Sequence, residues 1–475
     1  MQNTKIFKLL ATLSHPERQR FLDFLNSIYF NQNDALVKCF VALLPSLQKT
    51  KPIEQNEQQI WKQIYPSKKY DKARFHRVCS DLLKEAERFM AYFKFAQNKS
   101  LQNVYTLQSL NEKRAMEHLP HFMNFTYSQH KKTTLKDGDF YYLQYLIEDQ
   151  KSKFEVNLNK RTSDNNSIAA MTNLDSFYIA QKLQYYNALL HYKSINSVSG
   201  EILLMNEIVS IIKAGAFENY ALIKIRYSIF LTQTESENEV HFENLKEFIK
   251  LYDKKFSSEI AREMYSFAIQ YCIKKINSGV QKFYQEIFNL YKSSLQLEVL
   301  FNNNEISPYE FKNIITTGLR VNEFTWTENF IKEYKIQLPV EHQENAYTFN
   351  IARVFFYRKE YDKVLNLLQK VEYNDVFYLL DSKLTLIKTF YELKEFESLA
   401  ALLESFKMLI RRKKIISEQQ RIIYSHFIQY VKKFISITDK TKLVALQTEL
   451  QSPQQVADIG WLKEKVNELL ENKKR

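Results

Sequence analysis

A scarcity of glycine is the feature that most limits the fold of this chain. Only six of its 475 residues are glycine, whereas an average chain of this length has about 33. Glycine supplies the positive φ angles and close backbone approaches on which hairpin turns and β-bulges depend. Phosphate-binding loops and nucleophile elbows also need clustered glycines, and no two of the six are close neighbours. We therefore expect an all-α protein without a nucleotide or other cofactor.

Composition indicates a folded, intracellular protein. The chain is 45% hydrophobic and 14% aromatic, which is typical of a chain with a packed core rather than a disordered one. Its three cysteines, Cys39, Cys79 and Cys272, do not form a disulfide framework by number or spacing. The first residues lack a secretory signal, and no apolar run approaches the roughly 18 residues of a membrane span. These features predict a soluble, cytoplasmic protein with no membrane partner.

Positive charge is concentrated at the two ends of the chain. The formal net charge is +13, and residues 1–100 hold 17 basic and 9 acidic side chains, while residues 401–475 hold 15 and 8. Basic ends can meet nucleic acid or an acidic partner. A genome rich in A and T would also enrich lysine together with Phe, Tyr, Ile and Asn. The charge alone leaves both explanations open.

Capping boxes mark four predicted helix starts. In this motif a Ser caps the first turn, and a Glu or Gln three residues later reaches back to its backbone. The four begin at Ser14, Ser307, Ser417 and Ser452, the last opening a tail helix with Trp461. With the polar breaks between apolar stripes, they divide the chain into a basic helical region 1–100, a middle helical-hairpin region 101–300, repeats over 301–436, and capping helices with a basic tail over 437–475.

A repeat of about 35 residues lies in the last third of the chain. Residues 352–368 (ARVFFYRKEYDKVLNLL) match residues 387–403 (IKTFYELKEFESLAALL) at an offset of 35, and a fainter copy lies 37 residues upstream. A period near 34 is typical of two-helix repeats that stack to cover one another's apolar stripes. The aromatic residue that opens each second helix, Tyr361 or Phe396, is expected to wedge between the paired helices.

At these positions the chain resembles the tetratricopeptide repeat (TPR) family over roughly residues 308–436. Ala352 stands at the small position of the first helix, Phe355 at its aromatic position, Tyr361 at the turn aromatic and Leu368 at the large apolar position of the second helix. Lysines 359 and 394 replace the turn glycine of the family. The resemblance implies an α-solenoid of stacked antiparallel helix pairs, preceded by the N-terminal helical region.

The resemblance also implies a concave groove lined by first-helix residues. Four cations would share this groove with aromatic side chains, an arrangement suited to an extended acidic peptide or a terminal carboxylate. An ordinary solvated face is the alternative. The candidate partner-binding residues are Lys312, Arg320, Arg353, Phe356, Tyr357, Lys388 and Tyr391, accompanied by Thr316, Phe349 and Leu384.

Two basic stretches are candidates for phosphate or nucleic-acid contact. In residues 68–77, Lys69 and Lys72 could share a helix face with His76 beside aromatic residues, although a solvated helix face explains the same pattern. The second stretch, which follows an apolar run, consists of Arg411, Arg412, Lys413 and Lys414. Those cations could contact phosphate, or they could serve as an ordinary C-terminal cap of a helix.

The sequence supports a binding role rather than a chemical one. His118 and His121 are separated by two residues, but no Cys or carboxylate cluster completes a metal set, and no local pattern marks a catalytic pair or a small-molecule substrate. We expect a non-enzymatic scaffold or adaptor that binds a protein or acidic peptide in a helical-repeat groove. The alternative is an RNA-binding factor that uses the basic ends. A helical enzyme with a site assembled from distant residues is the third class.

Overall fold

The part of the chain described by a computed structural model is built from helices. It comprises residues 3–47, 55–134, 136–157, 165–195, 202–368, 376–413, 416–437, 439–451 and 455–472. Within these ranges there is no β-strand, and the one extended pairing is an isolated bridge between Asn302 and Glu305. The all-α prediction is therefore confirmed for these ranges, and the solenoid arrangement stays a prediction.

The chain divides into two compact units, Met1–Arg226 and Tyr227–Arg475. This boundary falls inside the predicted middle region 101–300, and the four-region division of the sequence stays a prediction. The helices of the first unit are α1 Lys5–Thr12, α2 His15–Asn26, α3 Asp34–Leu43, α4 Glu57–Ile64, α5 Lys72–Gln97, α6 Lys99–Glu112, α7 Leu119–Lys131, α8 Gly138–Asn157, α9 Asn165–Ile195 and α10 Met205–Lys213.

Helix α11, Ala221–Thr234, crosses the boundary between the units. The helices of the second unit are α12 Val240–Tyr252, α13 Ser258–Asn277, α14 Phe283–Gln296, α15 Pro308–Arg320, α16 Phe324–Tyr334, α17 Gln343–Tyr357, α18 Tyr361–Leu368, α19 Val376–Glu392, α20 Phe396–Arg412, α21 Glu418–Ser436, α22 Lys440–Gln451 and α23 Ile459–Asn472. Short 3-10 turns lie at Leu44–Leu47, Lys335–Gln337 and Val340–His342. None of the described helices has the length and apolar content that a membrane crossing demands.

Three of the four predicted helix starts are found where the capping residues place them. Ser14 and Ser417 form reciprocal capping boxes at α2 and α21, and the Ser307 hydroxyl accepts the Glu310 N–H at 3.1 Å at the start of α15. The fourth prediction is wrong about the boundary. The tail helix α23 begins at Ile459, directly after Asp458, and residues 452–454 lie outside the described ranges.

An aromatic core within the first unit joins helices α1, α2, α3, α4 and α5. Phe21, Phe40, Trp61 and Phe75 are fully buried in one continuous cluster. The rings of Phe21 and Phe40 meet edge to face, with centroids 4.8 Å apart, a geometry that aromatic pairs favour. These large aromatic side chains bury much apolar surface in few residues, and this burial stabilises the N-terminal end of the chain. The packed core agrees with the aromatic content of the sequence.

In the second unit the same turn joins α15 to α16, α17 to α18 and α19 to α20. Its central residue has positive φ in each case: 61° at Asn322, 63° at Lys359 and 61° at Lys394. The next N–H then reaches back five residues to a carbonyl of the first helix, as from Glu360 to Phe355 at 2.9 Å and from Glu395 to Phe390 at 3.0 Å. This is the Schellman pattern, which normally uses glycine at the left-handed position.

The apolar positions of the sequence repeat are buried in both of the better copies. Ala352 and Ile387 are fully buried in the first helices, as are Val364 and Leu399 in the second helices. The expected aromatic wedge is wrong for Phe396, which is 45% exposed. Its ring touches the edge of Tyr391, with centroids 6.4 Å apart, instead of inserting between helices.

Candidate functional site

The four cations predicted to share a groove lie on α15, α17 and α19, and contacts join these three helices. Lys312 of α15 forms an ion pair with Asp381 of α19. Arg353 of α17 donates to the Thr316 hydroxyl of α15 at 2.9 Å and to the Asn350 side-chain oxygen at 3.2 Å. Residues of helices up to 69 positions apart in sequence therefore meet on one surface, although their binding role stays a prediction.

The other two cations, Arg320 and Lys388, converge on one carboxylate. Lys388 Nζ lies 2.5 Å from Asp458 Oδ2, and Arg320 Nη2 lies 3.5 Å from Asp458 Oδ1. Burial alone would raise the pKa of the Asp458 carboxyl, but Lys388, Arg320 and Arg353 outweigh it and hold that pKa below its ordinary value. We call these four residues, Asp458 and its three cations, the carboxylate site.

The carboxylate site is largely covered, although the side chains of Arg320 and Asp458 remain 32% and 21% exposed. Lys388 is only 8% exposed, and its ammonium also lies 4.7 Å from the centre of the Phe356 ring. The alternative of an ordinary solvated face is therefore wrong for Lys388, and the partner-binding groove stays a prediction. The cover is α23, whose preceding residue Asp458 supplies the anion.

The predicted aromatic residues flank the same region. Phe356 is 9% exposed and meets the edges of Tyr357 and Tyr361. Tyr391 contacts the Trp461 ring of α23 edge to face, with centroids 5.4 Å apart. Burial, together with the nearby Glu392 carboxylate, raises the pKa of Tyr391 to about 12 although Lys465 opposes the shift. These side chains form an apolar border around the charged centre.

Helix α23 adds a second polar contact, which sequence reasoning missed. Trp461 Nε1 donates to Glu392 Oε1 at 3.1 Å, and Lys465 Nζ lies 2.8 Å from the same oxygen. With Asp458, these residues stand at positions i, i+3 and i+7 and therefore share one helix face. That spacing is visible in the sequence, but nothing in it identifies α15 and α19 as the surface that this face meets.

Gly460 lets the Arg320 guanidinium approach the start of α23. A Cβ at this position would lie 3.1 Å from Arg320 Nη2 and 3.3 Å from Nη1. Such distances are tighter than ordinary contacts, so the bare glycine backbone serves the carboxylate site directly. Gly460 is thus one of the few glycines of the chain whose lack of a side chain has a clear structural reason.

The N-terminal basic candidates are exposed but do not share the predicted helix face. Helix α5 begins at Lys72 and is capped by Asp71, so Lys69 precedes the helix. His76 lies on α5 and pairs with Glu57 at 3.4 Å. Lys69 and Lys72 are exposed and form no ion pair with any residue in the described ranges.

Arg411 and Arg412 lie in the last turn of α20 and Lys413 is its C-cap residue, so the position of the run agrees with the alternative of cations at a helix C-terminus. Arg421 adds hydrogen bonds at the same helix end, donating to the carbonyl oxygens of Ile410, Arg411 and Lys413, the last two at 3.0 and 2.8 Å. The side chains of Arg411, Arg412 and Lys413 are left exposed, and Lys414 lies outside the described residues.

The described ranges contain no group of three or more His, Cys, Asp or Glu side chains placed to hold a metal ion. Two cysteines that are 40 positions apart nevertheless meet. A hydrogen bond with Cys79, together with burial, raises the pKa of the Cys39 thiol. This pair lies in the aromatic core of the first unit, and all three cysteines are free thiols.

Comparison of the chain with known protein families, with curated proteins and with solved structures found no match.

Proposed function

We propose that this protein is a non-enzymatic scaffold or adaptor that binds a segment of a partner protein on the surface formed by α15, α17 and α19. In this proposal the helix pairs α15–α16, α17–α18 and α19–α20 are TPR-like, and together they form part of an α-solenoid. The repeated Schellman turn at Asn322, Lys359 and Lys394 supports this arrangement, because it joins each first helix to its second in the same way.

The observation that carries the proposal is the convergence of Arg320 and Lys388 on one carboxylate. Residues 68 positions apart recognise an acidic side chain from a third segment, Asp458. Charge-assisted hydrogen bonds of this kind are stronger and more specific than neutral ones. Three cations, including Arg353, act on the Asp458 carboxylate, and Glu464 also acts on Arg320. In the proposal the positive charge of these side chains serves an acidic partner. A cytoplasmic location is part of the proposal and is supported by the three free thiols.

Removing two of these charges tests the proposal. We expect the variant Arg353→Gln/Lys388→Gln to lose at least about tenfold of its captured partner, because each charge-assisted hydrogen bond contributes about 1.5–3 kcal/mol. The measurement is affinity purification of the full-length protein from its native cell, followed by quantitative mass spectrometry. Helicity and melting temperature of each variant establish that it folds.

A matched control is Arg411→Gln/Arg412→Gln, which removes the same charge from exposed positions outside the surface. It should retain the partner at the wild-type level. Equal capture by both variants and the wild type would contradict the proposed surface, whereas equal loss in both would indicate nonspecific charge attraction.

The second candidate function is RNA binding. It is favoured by the exposed cations Lys69, Lys72, Arg411, Arg412 and Lys413, which form no ion pair in the described ranges. Exposed cations outside ion pairs are available to phosphate groups, although Lys72 also contributes to lowering the pKa of the nearby Glu57 carboxyl. Salt-sensitive retention of single-stranded RNA distinguishes this function from binding of a protein segment through α15, α17 and α19.

A further inference from the structure

The two faces of α23 make different kinds of contact. Leu462, Val466 and Leu470 are buried, and Asn467 accepts a hydrogen bond from Gln447 of α22 at 2.7 Å. These residues give α23 the apolar stripe of an ordinary packed helix. The other face is aromatic and charged, and it meets α15, α19 and α21 through side-chain contacts.

That second face carries a short recognition pattern. Asp458 pairs with Lys388 and Arg320, Trp461 contacts Glu392 and Tyr391, and Lys465 pairs with Glu392. Cations of the surface thus contact the start of the helix, and a carboxylate of the surface contacts its second turn. An aromatic pocket completed by Phe427 and Phe434 lies between them. Opposite charges at both ends fix the direction in which a helix can lie there.

Charged groups at both ends distinguish this contact from an apolar core, although Trp461 and Lys465 are each only 5% exposed. The carboxylate site is held by charged groups that keep a measurable share of solvent contact, about 32% for the Arg320 side chain and 21% for Asp458. Polar contacts of this kind are characteristic of interfaces that form and separate.

We infer that α23 acts as an internal ligand of the surface formed by α15 and α19, and that a partner binds there with a helix of the same pattern. Such a helix has a carboxylate just before its first turn, a large aromatic residue three positions later and a cation four positions after that. The inference rests on the proposed function and refines it, because the ligand is an amphipathic helix instead of an extended acidic peptide. The partner must displace α23, so the free protein binds it more weakly than the bare surface would.

A peptide competition tests this inference with the full-length protein. The probe is a fluorescently labelled peptide of residues 455–472 (QVADIGWLKEKVNELLEN), and its binding is followed by fluorescence anisotropy. We expect the protein variant Asp458→Asn/Trp461→Ala, whose own α23 has lost its polar anchors, to bind this peptide at least about tenfold more tightly than the wild type. The same peptide with Asp458→Asn and Trp461→Ala should bind to neither protein.

Two further variants keep the test independent of folding. Asn matches Asp in shape and tolerates positive φ, so Asp458→Asn alone is a milder variant whose affinity for the peptide should rise at least about threefold. Adding Lys388→Gln to the double variant should remove the gain, since it deletes the cation that binds the peptide carboxylate. Helicity of every variant is measured by circular dichroism.

The outcomes separate this inference from the proposed function. If wild type and loosened variants bind the peptide equally, or if none binds it, α23 is not a ligand of the surface and the inference is overturned. In either case a cellular partner that is captured through Arg353 and Lys388 would leave the proposed function standing. If the protein still binds the peptide but capture of the cellular partner does not depend on Arg353 and Lys388, the proposed function alone is contradicted.

Discussion

At the scale of single residues, the left-handed lysines of the turns are the clearest departure from local preference. Lys359 and Lys394 occupy positions where the φ angle favours glycine, and both side chains are exposed. An L-residue in this conformation carries a steric cost that glycine avoids. Because the chain has few glycines, these turns contain L-residues in a mildly strained left-handed conformation.

Replacing one of these lysines by glycine should stabilise the protein. For Lys394→Gly we expect a gain of about 0.5–1 kcal/mol in the free energy of unfolding, because relief of the left-handed strain exceeds the added freedom of the unfolded chain. Urea unfolding followed by circular dichroism measures the change. Lys407→Gly, at an exposed position inside α20, is the matched control and should destabilise by about 1 kcal/mol. A loss of stability in Lys394→Gly would contradict the steric argument.

At the scale of helices, the pair α15 and α16 depends on one glycine for its close approach. A Cβ at Gly318 would lie 2.2 Å from the Thr327 hydroxyl oxygen, far inside any permitted contact. That hydroxyl is buried and donates to the Glu323 carbonyl at 2.7 Å, so it can move away only by giving up its hydrogen bond. Small residues at helix crossings allow backbones to approach in this way.

Gly318→Ala is expected to destabilise the protein by about 1–3 kcal/mol. Alanine would gain roughly 1 kcal/mol of helix propensity at this position, but the overpacking outweighs the gain. A double-mutant cycle on the urea midpoint checks the cause. In a Thr327→Ala background the clashing oxygen is absent, so Gly318→Ala should there be neutral or stabilising. An equal loss in both backgrounds would mean that Thr327 is not the obstacle.

Helix starts and turns were the features that could be predicted from sequence, because each depends on residues a few positions apart. The boxes at Ser14 and Ser417, and the matched turns that end in Glu360 and Glu395, are of this kind. The contact of Arg421 with the end of α20 could not be predicted. Arg421 binds backbone carbonyl oxygens, which every residue has, so the sequence does not identify its partners.

At the scale of the whole molecule, the positive charge supplies the test of the second candidate function. If the exposed cations bind phosphate, the full-length protein should be retained on heparin at low salt, and its binding to single-stranded RNA should fall steeply as salt rises. The variant Arg411→Glu/Arg412→Glu should elute at lower salt and reduce the salt dependence. Failure of the wild type to bind heparin at low salt would exclude this function.

Long-range order set the limit of the sequence reasoning. The resemblance to TPR proteins implied that Arg320 and Lys388 would face the same surface, because both occupy first-helix positions in a run of three repeats. It could not predict that Asp458, 70 positions beyond Lys388, would lie between them. The pairing of Asp458 with Lys388 and Arg320 depends on how α21, α22 and α23 pack. No local sequence pattern determines that packing.

The position of Trp461 has a practical consequence. The chain has only three tryptophans, and this one is enclosed by the rings of Tyr391, Phe427 and Phe434. Indole emission moves to longer wavelength when the ring passes from an apolar enclosure into water. Trp461 is therefore an intrinsic optical reporter of whether α23 is seated, and it is read against the emission of the other two tryptophans, Trp61 and Trp326.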